Sequence, residues 1–239
     1  MRRVLVTGGG SGIGRATAHA FAVAGDHVTI CGRRRAPLEE TARGHDMTLR
    51  EADVTDEASV AALFETPFDV VVANAGIARS AKLVDLSLQD WNDTLNVTLT
   101  GVFLTFRAAL PGMGPGGRLI AIASTASLQG GATLSAYSAA KHGVLGLVRS
   151  TAKEVAKTGI TCNAICPGFV DTEMAAGAIK GVSRKFDVDE AKATEMIVAA
   201  NPMRRLISPE EVAATALFLA SAGAASVNGH ALSVSGGEI

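Results

Sequence analysis

Short runs of β-branched and aliphatic residues alternate along the chain with longer stretches in which apolar residues recur at helical spacing. Seven segments contain runs with the length of buried strands: RRVLVTG, HVTICGRR, TLREADVTD, FDVVVANAG, GGRLIAIAS, ITCNAICPG and HALSVSGG. Helical patterns lie between them, most clearly over residues 86–110, 138–157 and 210–221. Strands separated by helix-length segments form βαβ units, and fully apolar strands fit a sheet covered on both faces. The pattern therefore predicts an α/β fold with a doubly wound, seven-stranded parallel sheet and helices on both faces.

No proline- or serine-rich linker and no internal repeat divides the 239 residues, so we predict one domain over residues 1–239. The longest connection covers residues 173–207, where only two short segments, around AAGAIKG and DEAKATEMIVAA, have amphipathic helical character. A connection of this length is typical of a functional lid or a mobile loop, and we predict a substrate lid. Ser208, Pro209 and Glu211 follow it with the pattern of a capped helix start.

A glycine-rich loop, TGGGSGIG, follows the first predicted strand and opens the first predicted helix. Gly8, Gly12 and Gly14 permit a tight turn and a close approach of the backbone to a pyrophosphate, which the helix N-terminus attracts. The spacing G-x-x-x-G-x-G differs from the general dinucleotide fingerprint, and Arg15-Ala16 stands where a P-loop requires Lys-Ser/Thr. A glycine-rich turn without a ligand is the alternative, but the strand–loop–helix context favours a dinucleotide.

Three arginines end the second predicted strand, where the adenosine ribose of a dinucleotide would lie. A carboxylate at this point binds the ribose 2′-hydroxyl of NAD and repels a 2′-phosphate. Arg33, Arg34 and Arg35 stand there instead, and arginine can hold a phosphate through two parallel hydrogen bonds. The sequence therefore favours NADP(H), with NAD(H) as the second choice and a solvated basic turn as the alternative to any cofactor role.

The single tyrosine of the chain, Tyr137, precedes Lys141 by four residues. On a helix the two side chains share one face, and a nearby ammonium favours the phenolate and lowers its pKa toward the range useful for acid–base chemistry. Ser124 ends the fifth strand, at the carboxyl edge where such sheets bind ligands. Asn96 lies in a helical segment despite its poor helix propensity, which indicates a polar task. A lone Y-x-x-x-K is more often a surface pair, but with the glycine loop it favours an active site.

Composition and charge exclude several classes of function. The formal net charge is −1, which gives no broad attraction to nucleic acid or to an anionic membrane. No segment has the length of a membrane-spanning helix, and the apolar run after Arg2 and Arg3 is too short for a secretion signal. The three cysteines suggest reduced thiols and a cytoplasmic protein. The five histidines match no metal-binding pattern, so we predict no metal site.

Taken together, these motifs resemble those of the short-chain dehydrogenase/reductase family. The matching pieces are the loop at residues 7–14, Asp53-Val54, Asn74-Ala75-Gly76, the four residues Asn96, Ser124, Tyr137 and Lys141, and Pro167-Gly168. They occur in order along nearly the whole chain. One departure is Ala73, where many members have a second asparagine. The resemblance implies a Rossmann-type fold and, because the family is usually tetrameric, a homotetramer.

The resemblance also implies roles for individual residues. Tyr137 would exchange a proton with a substrate oxygen that Ser124 holds. Lys141 would depress the pKa of Tyr137 and bind the nicotinamide ribose, and Asn96 would anchor a water that links Lys141 to solvent. The residues implied to contact the cofactor are Gly8, Ser11, Gly12, Ile13, Gly14, Arg33, Arg34, Asp53, Val54, Asn74, Ala75, Gly76, Tyr137, Lys141, Pro167, Gly168, Val170 and Thr172.

The predicted reaction is the NAD(P)-dependent interconversion of a ketone and a secondary alcohol by hydride transfer. By overall similarity the sequence favours a reductase of 3-oxoacyl thioesters carried by acyl carrier protein or coenzyme A. An NAD-linked dehydrogenase of secondary alcohols or 3-hydroxyacids is the alternative. A non-catalytic regulator that only binds the cofactor is a third class, against which the complete set of four candidate catalytic residues argues.

Overall fold

The computed structural model describes residues 1–239 and contains one seven-stranded sheet in which every neighbouring pair is parallel. The strand order is β3-β2-β1-β4-β5-β6-β7, as expected for a doubly wound sheet. All seven predicted strands are confirmed. They are β1 Arg3–Thr7, β2 His27–Gly32, β3 Met47–Glu51, β4 Val70–Ala73, β5 Arg118–Ile122, β6 Thr161–Pro167 and β7 Ala231–Val234.

Nine α-helices connect or follow the strands. They are α1 Gly12–Val23, α2 Arg35–Ala42, α3 Glu57–Ala61, α4 Leu88–Leu95, α5 Gly101–Ala109, α6 Ser135–Val155, α7 Glu173–Phe186, α8 Glu190–Ile197 and α9 Pro209–Leu219. The helix predicted over residues 86–110 is interrupted by one turn of π-helix at Asn96–Thr100. Such turns widen a helix locally and are frequent at functional sites.

Two apolar layers cover the two faces of the sheet, because successive side chains of a strand point to opposite sides. Leu5 and Val71 belong to the layer that contains Phe106 of α5 and Val144 of α6. The neighbouring strand residues, such as Val4, belong to the other layer, which includes residues of α1 and α9. The expected coverage of both faces is thus confirmed, and the uniformly apolar strands follow from it.

The strand order reverses between β1 and β4, which lie side by side at the centre of the sheet. The glycine-rich loop leaves the carboxyl end of β1, and Asn74 follows the carboxyl end of β4. In open α/β sheets this reversal opens a crevice at the carboxyl edge, which is the usual ligand site. The fold therefore brings the predicted dinucleotide loop to the expected position.

Residues 173–207 contain the helical pair α7 and α8. Helix α7 is longer than the predicted segment around AAGAIKG, whereas α8 lies within the predicted segment around DEAKATEMIVAA and is followed by a short 3-10 turn at Val198–Ala200. The segment is fixed at its base, where Asp171 N–H donates to the Ile207 carbonyl at 2.9 Å and Ile207 N–H donates to the Phe169 carbonyl at 2.9 Å. The predicted cap of α9 is confirmed, since Ser208 and Glu211 form a reciprocal capping box. None of the helices combines the length and the apolar character needed to cross a bilayer.

Candidate active site

The glycine-rich loop turns sharply between β1 and α1. Gly8 and Gly12 have φ angles of +64° and +50°, in the left-handed region that glycine adopts readily. Gly14 lies directly against the loop, so a methyl group there would collide with the carbonyl oxygen of Gly8. The loop consequently depends on glycine at these three positions for its shape.

Asn74 holds the loop in this shape from the neighbouring strand. Its Nδ2 donates to the carbonyl oxygens of Thr7 at 3.0 Å and Gly8 at 3.2 Å. In return the Thr7 hydroxyl accepts hydrogen bonds from the backbone N–H groups of Asn74 at 3.0 Å and Ala75 at 3.1 Å. The Asn74 amide therefore fixes the glycine-rich loop after β1 to the end of β4.

The start of α1 fits a pyrophosphate. Ser11, its N-cap residue, is extended and its hydroxyl caps no backbone N–H group, and no acidic side chain occupies the first turn. The first N–H groups of the helix, at Gly12, Ile13 and Gly14, therefore have no side-chain acceptor. The positive end of the helix dipole lies at the same place, so an anion bound there would be stabilised by both. The glycine backbone leaves room for a phosphate to approach.

Asp53 and Val54 lie beyond β3, on the side of the crevice expected for an adenine ring. One carboxylate oxygen of Asp53 accepts hydrogen bonds from the N–H group of Thr55 at 2.9 Å and its hydroxyl at 2.8 Å. These bonds and the nearby charge of Arg33 lower the pKa of Asp53. The buried Val54 packs against Gly101, where a methyl group would lie 2.8 Å from Val54 Cγ2.

The arginines after β2 differ in their surroundings. Arg33 and Arg34 are exposed and their side chains make no hydrogen bond, whereas Arg35 pairs with Glu39 at 2.9 Å within α2. Arg15, which stands where a P-loop has its lysine, donates to the Gly10 carbonyl at 2.9 Å and to the Thr41 hydroxyl at 3.2 Å. Of the three arginines after β2, Arg33 and Arg34 thus remain available to a ligand.

Ser124 stands just beyond β5 and begins a short helical turn. Its backbone N–H donates to the Ser127 hydroxyl at 3.2 Å, and its own hydroxyl oxygen accepts from the Ala126 N–H at 3.1 Å. A serine hydroxyl has one proton to donate and two lone pairs. The Ser124 hydroxyl therefore keeps its proton and one lone pair for another partner, while its position is fixed by the turn.

Tyr137 and Lys141 lie on the first turns of α6, as the four-residue spacing predicts. Lys141 Nζ is 5.6 Å from the centroid of the Tyr137 ring, and it donates a buried hydrogen bond of 2.6 Å to the carbonyl oxygen of Ile122. Burial lowers the pKa of Lys141 to about 8. Interaction with the Ser124 hydroxyl connects the tyrosine to the end of β5. The fold thus brings Ser124, Tyr137 and Lys141 together.

The direction of the Tyr137 pKa differs from the expectation. The pKa is raised, because burial of the phenol outweighs its interaction with Ser124. Lys141 does not hold the pKa down in this structure, since its ammonium lies against the Ile122 carbonyl. The tyrosine is therefore a protonated donor at neutral pH, and any further lowering must come from groups that join the site.

The structure does not bring Asn96 to this group. Its side chain is exposed and makes no hydrogen bond. Thr98, two residues further along the π-turn, is fully buried and faces the site. A methyl group at Gly76 would lie 3.7 Å from Thr98 Oγ1 and 3.8 Å from Lys141 Nζ, so the two side chains meet around Gly76. Thr98 was missed because a helical pattern does not indicate where a π-turn shifts the register.

The residues expected around the nicotinamide follow β6. The Gly168 N–H donates to the carbonyl oxygen of Val234 at 3.0 Å, and Val170 forms an isolated bridge with Ile207 at the base of residues 173–207. Thr172 caps α7 and reaches the glycine-rich loop, where a methyl group at Gly12 would lie 3.0 Å from its Cγ2. Pro167 and the residues after it therefore connect the predicted lid to the crevice.

A glycine-rich loop, a serine, a tyrosine and a lysine at the carboxyl edge of one parallel sheet are the features of a nicotinamide-dependent oxidoreductase. Comparison with known proteins agrees. A family model described as enoyl-(acyl carrier protein) reductase matches residues 8–238. The chain belongs to the short-chain dehydrogenase/reductase family.

Individual relatives are similar over their whole length. A crystal structure of an actinorhodin polyketide ketoreductase variant with NADPH has a TM-score of 0.93 and 38% identity, covering 99% of this chain and 97% of that one. The 3-oxoacyl-acyl-carrier-protein reductase of Aquifex aeolicus is 36% identical over 98% of this chain and 95% of its own length. The D-β-hydroxybutyrate dehydrogenase of Cupriavidus necator is 35% identical over 100% of this chain and 98% of its own length. The protein is therefore an enzyme that interconverts ketones and alcohols, and these relatives leave its substrate open.

Proposed function

We propose that this protein is an NADPH-preferring reductase of 3-oxoacyl thioesters carried by acyl carrier protein or coenzyme A. The observation that carries the proposal is the convergence of the Ser124 hydroxyl, the Tyr137 phenol and the Lys141 ammonium at one edge of the sheet. The similarity to a 3-oxoacyl-acyl-carrier-protein reductase and a polyketide ketoreductase supports this choice of substrate.

The proposed chemistry assigns a separate task to each side chain. Ser124 donates its free proton in a hydrogen bond to the carbonyl oxygen of the substrate and so holds that oxygen beside Tyr137. The Tyr137 phenol, protonated because burial raises its pKa, gives its proton to the same oxygen. Bound NADPH supplies the hydride that the carbonyl carbon accepts. Lys141 provides positive charge behind the phenol as its proton leaves.

The preference for NADPH rests on Arg33 and Arg34. Both guanidinium groups are exposed and without partners just beyond the carboxyl end of β2, and Arg33 is near enough to Asp53 to lower the pKa of that carboxyl group. No carboxylate stands at the end of β2 itself to bind the ribose 2′-hydroxyl and repel a 2′-phosphate. A guanidinium binds a phosphate with two parallel hydrogen bonds. The remaining cofactor contacts are those given above for the glycine-rich loop, Asp53-Val54, Asn74-Ala75-Gly76 and residues 167–172.

Oligomeric state and cellular location are further parts of the proposal. Exposed apolar side chains, with Leu83 at 72%, Val84 at 90% and Leu88 at 74% exposure, support assembly into a homotetramer. Three free cysteines support a cytoplasmic protein. One catalytic domain over residues 1–239, with residues 173–207 as its substrate lid, is supported by the single sheet and by the fixed base of that segment.

An NAD-linked dehydrogenase of 3-hydroxyacids is the second candidate, and the similarity to D-β-hydroxybutyrate dehydrogenase favours it. A panel that pairs NADPH and NADH with a 3-oxoacyl thioester, a free 3-oxo acid and simple cyclic ketones separates the two. The proposal expects the highest kcat/KM for NADPH with the thioester. A highest value for NADH with the free acid would replace it by the second candidate.

A further inference from the structure

Residues 235–239 form a compact turn that packs against three other segments at the carboxyl edge of the sheet. Gly236 and Gly237 have φ angles of +63° and +91° and pack against Asn201 and Pro202 at the end of residues 173–207. The Ser235 hydroxyl contacts the backbone of Ile239 at 3.4 Å and closes the turn. This conformation directs the side chain of Glu238 back over the sheet edge.

Glu238 spans the gap between the ends of two adjacent strands. Its Oε1 accepts a 2.9 Å hydrogen bond from Nε2 of Gln129, which lies in the loop after β5 that begins at Ser124. Its Oε2 lies over Gly168 after β6, at 3.1 Å from where a methyl group on that glycine would stand. The Glu238 carboxylate is therefore held between the loop that begins at Ser124 and the loop after β6 that is expected to frame the nicotinamide.

The charge of Glu238 is not neutralised by a neighbour. No lysine, arginine or histidine forms an ion pair with it. Two arginines follow the Asn201–Pro202 turn: Arg205 pairs with Glu211 at 2.7 Å, and Arg204 makes no ion pair with Glu238. The single partner of the carboxylate is the neutral amide of Gln129. A substrate that enters between the two loops consequently meets a full negative charge.

We propose that Glu238 is a specificity-determining residue that disfavours anionic 3-oxo acids and directs the site toward ketones whose neighbouring acyl group is uncharged, such as thioesters and esters. The proposal rests on the function proposed above and narrows its substrate class. A free 3-oxo acid places a carboxylate two bonds from the reacting carbonyl, where the repulsion is strong. A thioester or ester places a neutral group there, and any charges of its carrier lie far away.

A matched substrate pair tests the proposal. Ethyl acetoacetate and acetoacetate share the reacting ketone and differ in charge, and kcat/KM for both is measured with saturating NADPH in the wild type, Glu238→Gln and Glu154→Gln. The Glu238→Gln substitution keeps an acceptor for Gln129 and removes the charge. Glu154→Gln removes an exposed charge near the far end of α6, at the opposite edge of the sheet.

The wild type is expected to prefer the ester, and Glu238→Gln to shift the ratio about tenfold toward acetoacetate, the size of a one-charge repulsion across several ångströms at a partly exposed site. Glu154→Gln should leave the ratio unchanged. Raising the ionic strength from about 0.1 M to about 1 M should weaken the discrimination in the wild type and not in Glu238→Gln, a response that a purely structural role would not produce.

Two results would overturn the inference and each has a distinct meaning. Turnover of both substrates with the same ratio in wild type and Glu238→Gln would remove Glu238 as a selector and leave the ketone reductase function intact. Failure of the wild type to reduce either substrate or a 3-oxoacyl thioester would overturn the proposed function, and the inference with it.

Discussion

The Lys141 ammonium donates a 2.6 Å hydrogen bond to the carbonyl oxygen of Ile122, the last residue of β5, from a fully buried position on α6. Burial disfavours the charged form, and this lowers the pKa of Lys141 from 10.5 to about 8. The bond also fixes the helix that carries Tyr137 to the strand that leads to Ser124. Lys141 therefore both holds Tyr137 and Ser124 in position and is itself a group that loses its proton near pH 8.

This pKa predicts the pH dependence of reduction. Lys141 is charged below about pH 8 and neutral above it, whereas the raised pKa of Tyr137 keeps the phenol protonated through this range. The kcat/KM for NADPH, which reports the free enzyme, should be constant at low pH and fall as pH rises through about 8. Lys141→Arg, whose guanidinium does not lose its proton in this range, should be slower and lack this limb. A wild-type profile that is flat well above pH 8 would contradict the assignment.

Replacement of Tyr137 tests the proton donor directly. Tyr137→Phe removes one hydroxyl group, and we expect turnover to fall about 10³-fold while the dissociation constant for NADPH changes little. Because the chain has one tyrosine, the phenolate absorbance of the folded wild type reports Tyr137 alone, and its midpoint should lie above the ordinary value of 10.0. Undiminished turnover in Tyr137→Phe would exclude this residue as the donor. A midpoint below 10.0 would show that a nearby charge has a larger effect on the pKa of Tyr137 than its burial.

Substitutions at Thr98 and Asn96 test which of these two residues supports the site. The Thr98 hydroxyl accepts from the Ile77 N–H at 3.2 Å and donates to the Ile77 carbonyl at 3.1 Å, next to Gly76 and Lys141. Thr98→Val leaves both backbone groups unpaired, which costs about 1–3 kcal/mol each, so a lower Tm and a roughly tenfold rise in KM for NADPH are expected. Thr98→Ser keeps the hydroxyl group, so its Tm and its KM for NADPH should lie close to the wild-type values.

Asn96→Ala provides the control for Thr98, because Asn96 is exposed and without hydrogen bonds. Its kinetic constants and Tm should remain close to those of the wild type. A larger loss of activity in Asn96→Ala than in Thr98→Val would contradict this expectation. It would support the role that the sequence motif implies for Asn96, although the side chain is exposed in this structure.

The sequence predicts the fold well because the physical cause of each element is local. Buried parallel strands must be apolar throughout, so the run Val70-Val71-Val72 is recognisable, and a loop as tight as that at Gly8 and Gly14 requires glycine. Ser124 and Tyr137 are found for a similar reason, since strand ends and helix starts of such a sheet meet at one edge.

Other features depend on contacts that no local pattern contains. The π-turn at Asn96–Thr100 changes which side chain faces the site, so the helical pattern drew attention to Asn96 and passed over Thr98. The direction of the Tyr137 pKa depends on how far the phenol is buried and on where Lys141 directs its ammonium. The position of Glu238 depends on the packing of a turn against residues far away in sequence.

The cofactor preference can be reversed at one position if the exposed guanidinium of Arg33 binds the 2′-phosphate. Arg33→Asp replaces attraction by repulsion, and the ratio of kcat/KM for NADPH to that for NADH should fall by about 10²-fold, since a charge-assisted hydrogen bond contributes about 1.5–3 kcal/mol. Arg43→Asp makes the same change of charge at the far end of α2, where the side chain is exposed, and should leave the ratio unchanged. Equal ratios in the wild type and Arg33→Asp would make Arg33 a surface residue, and the preference for NADPH would then have to come from Arg34.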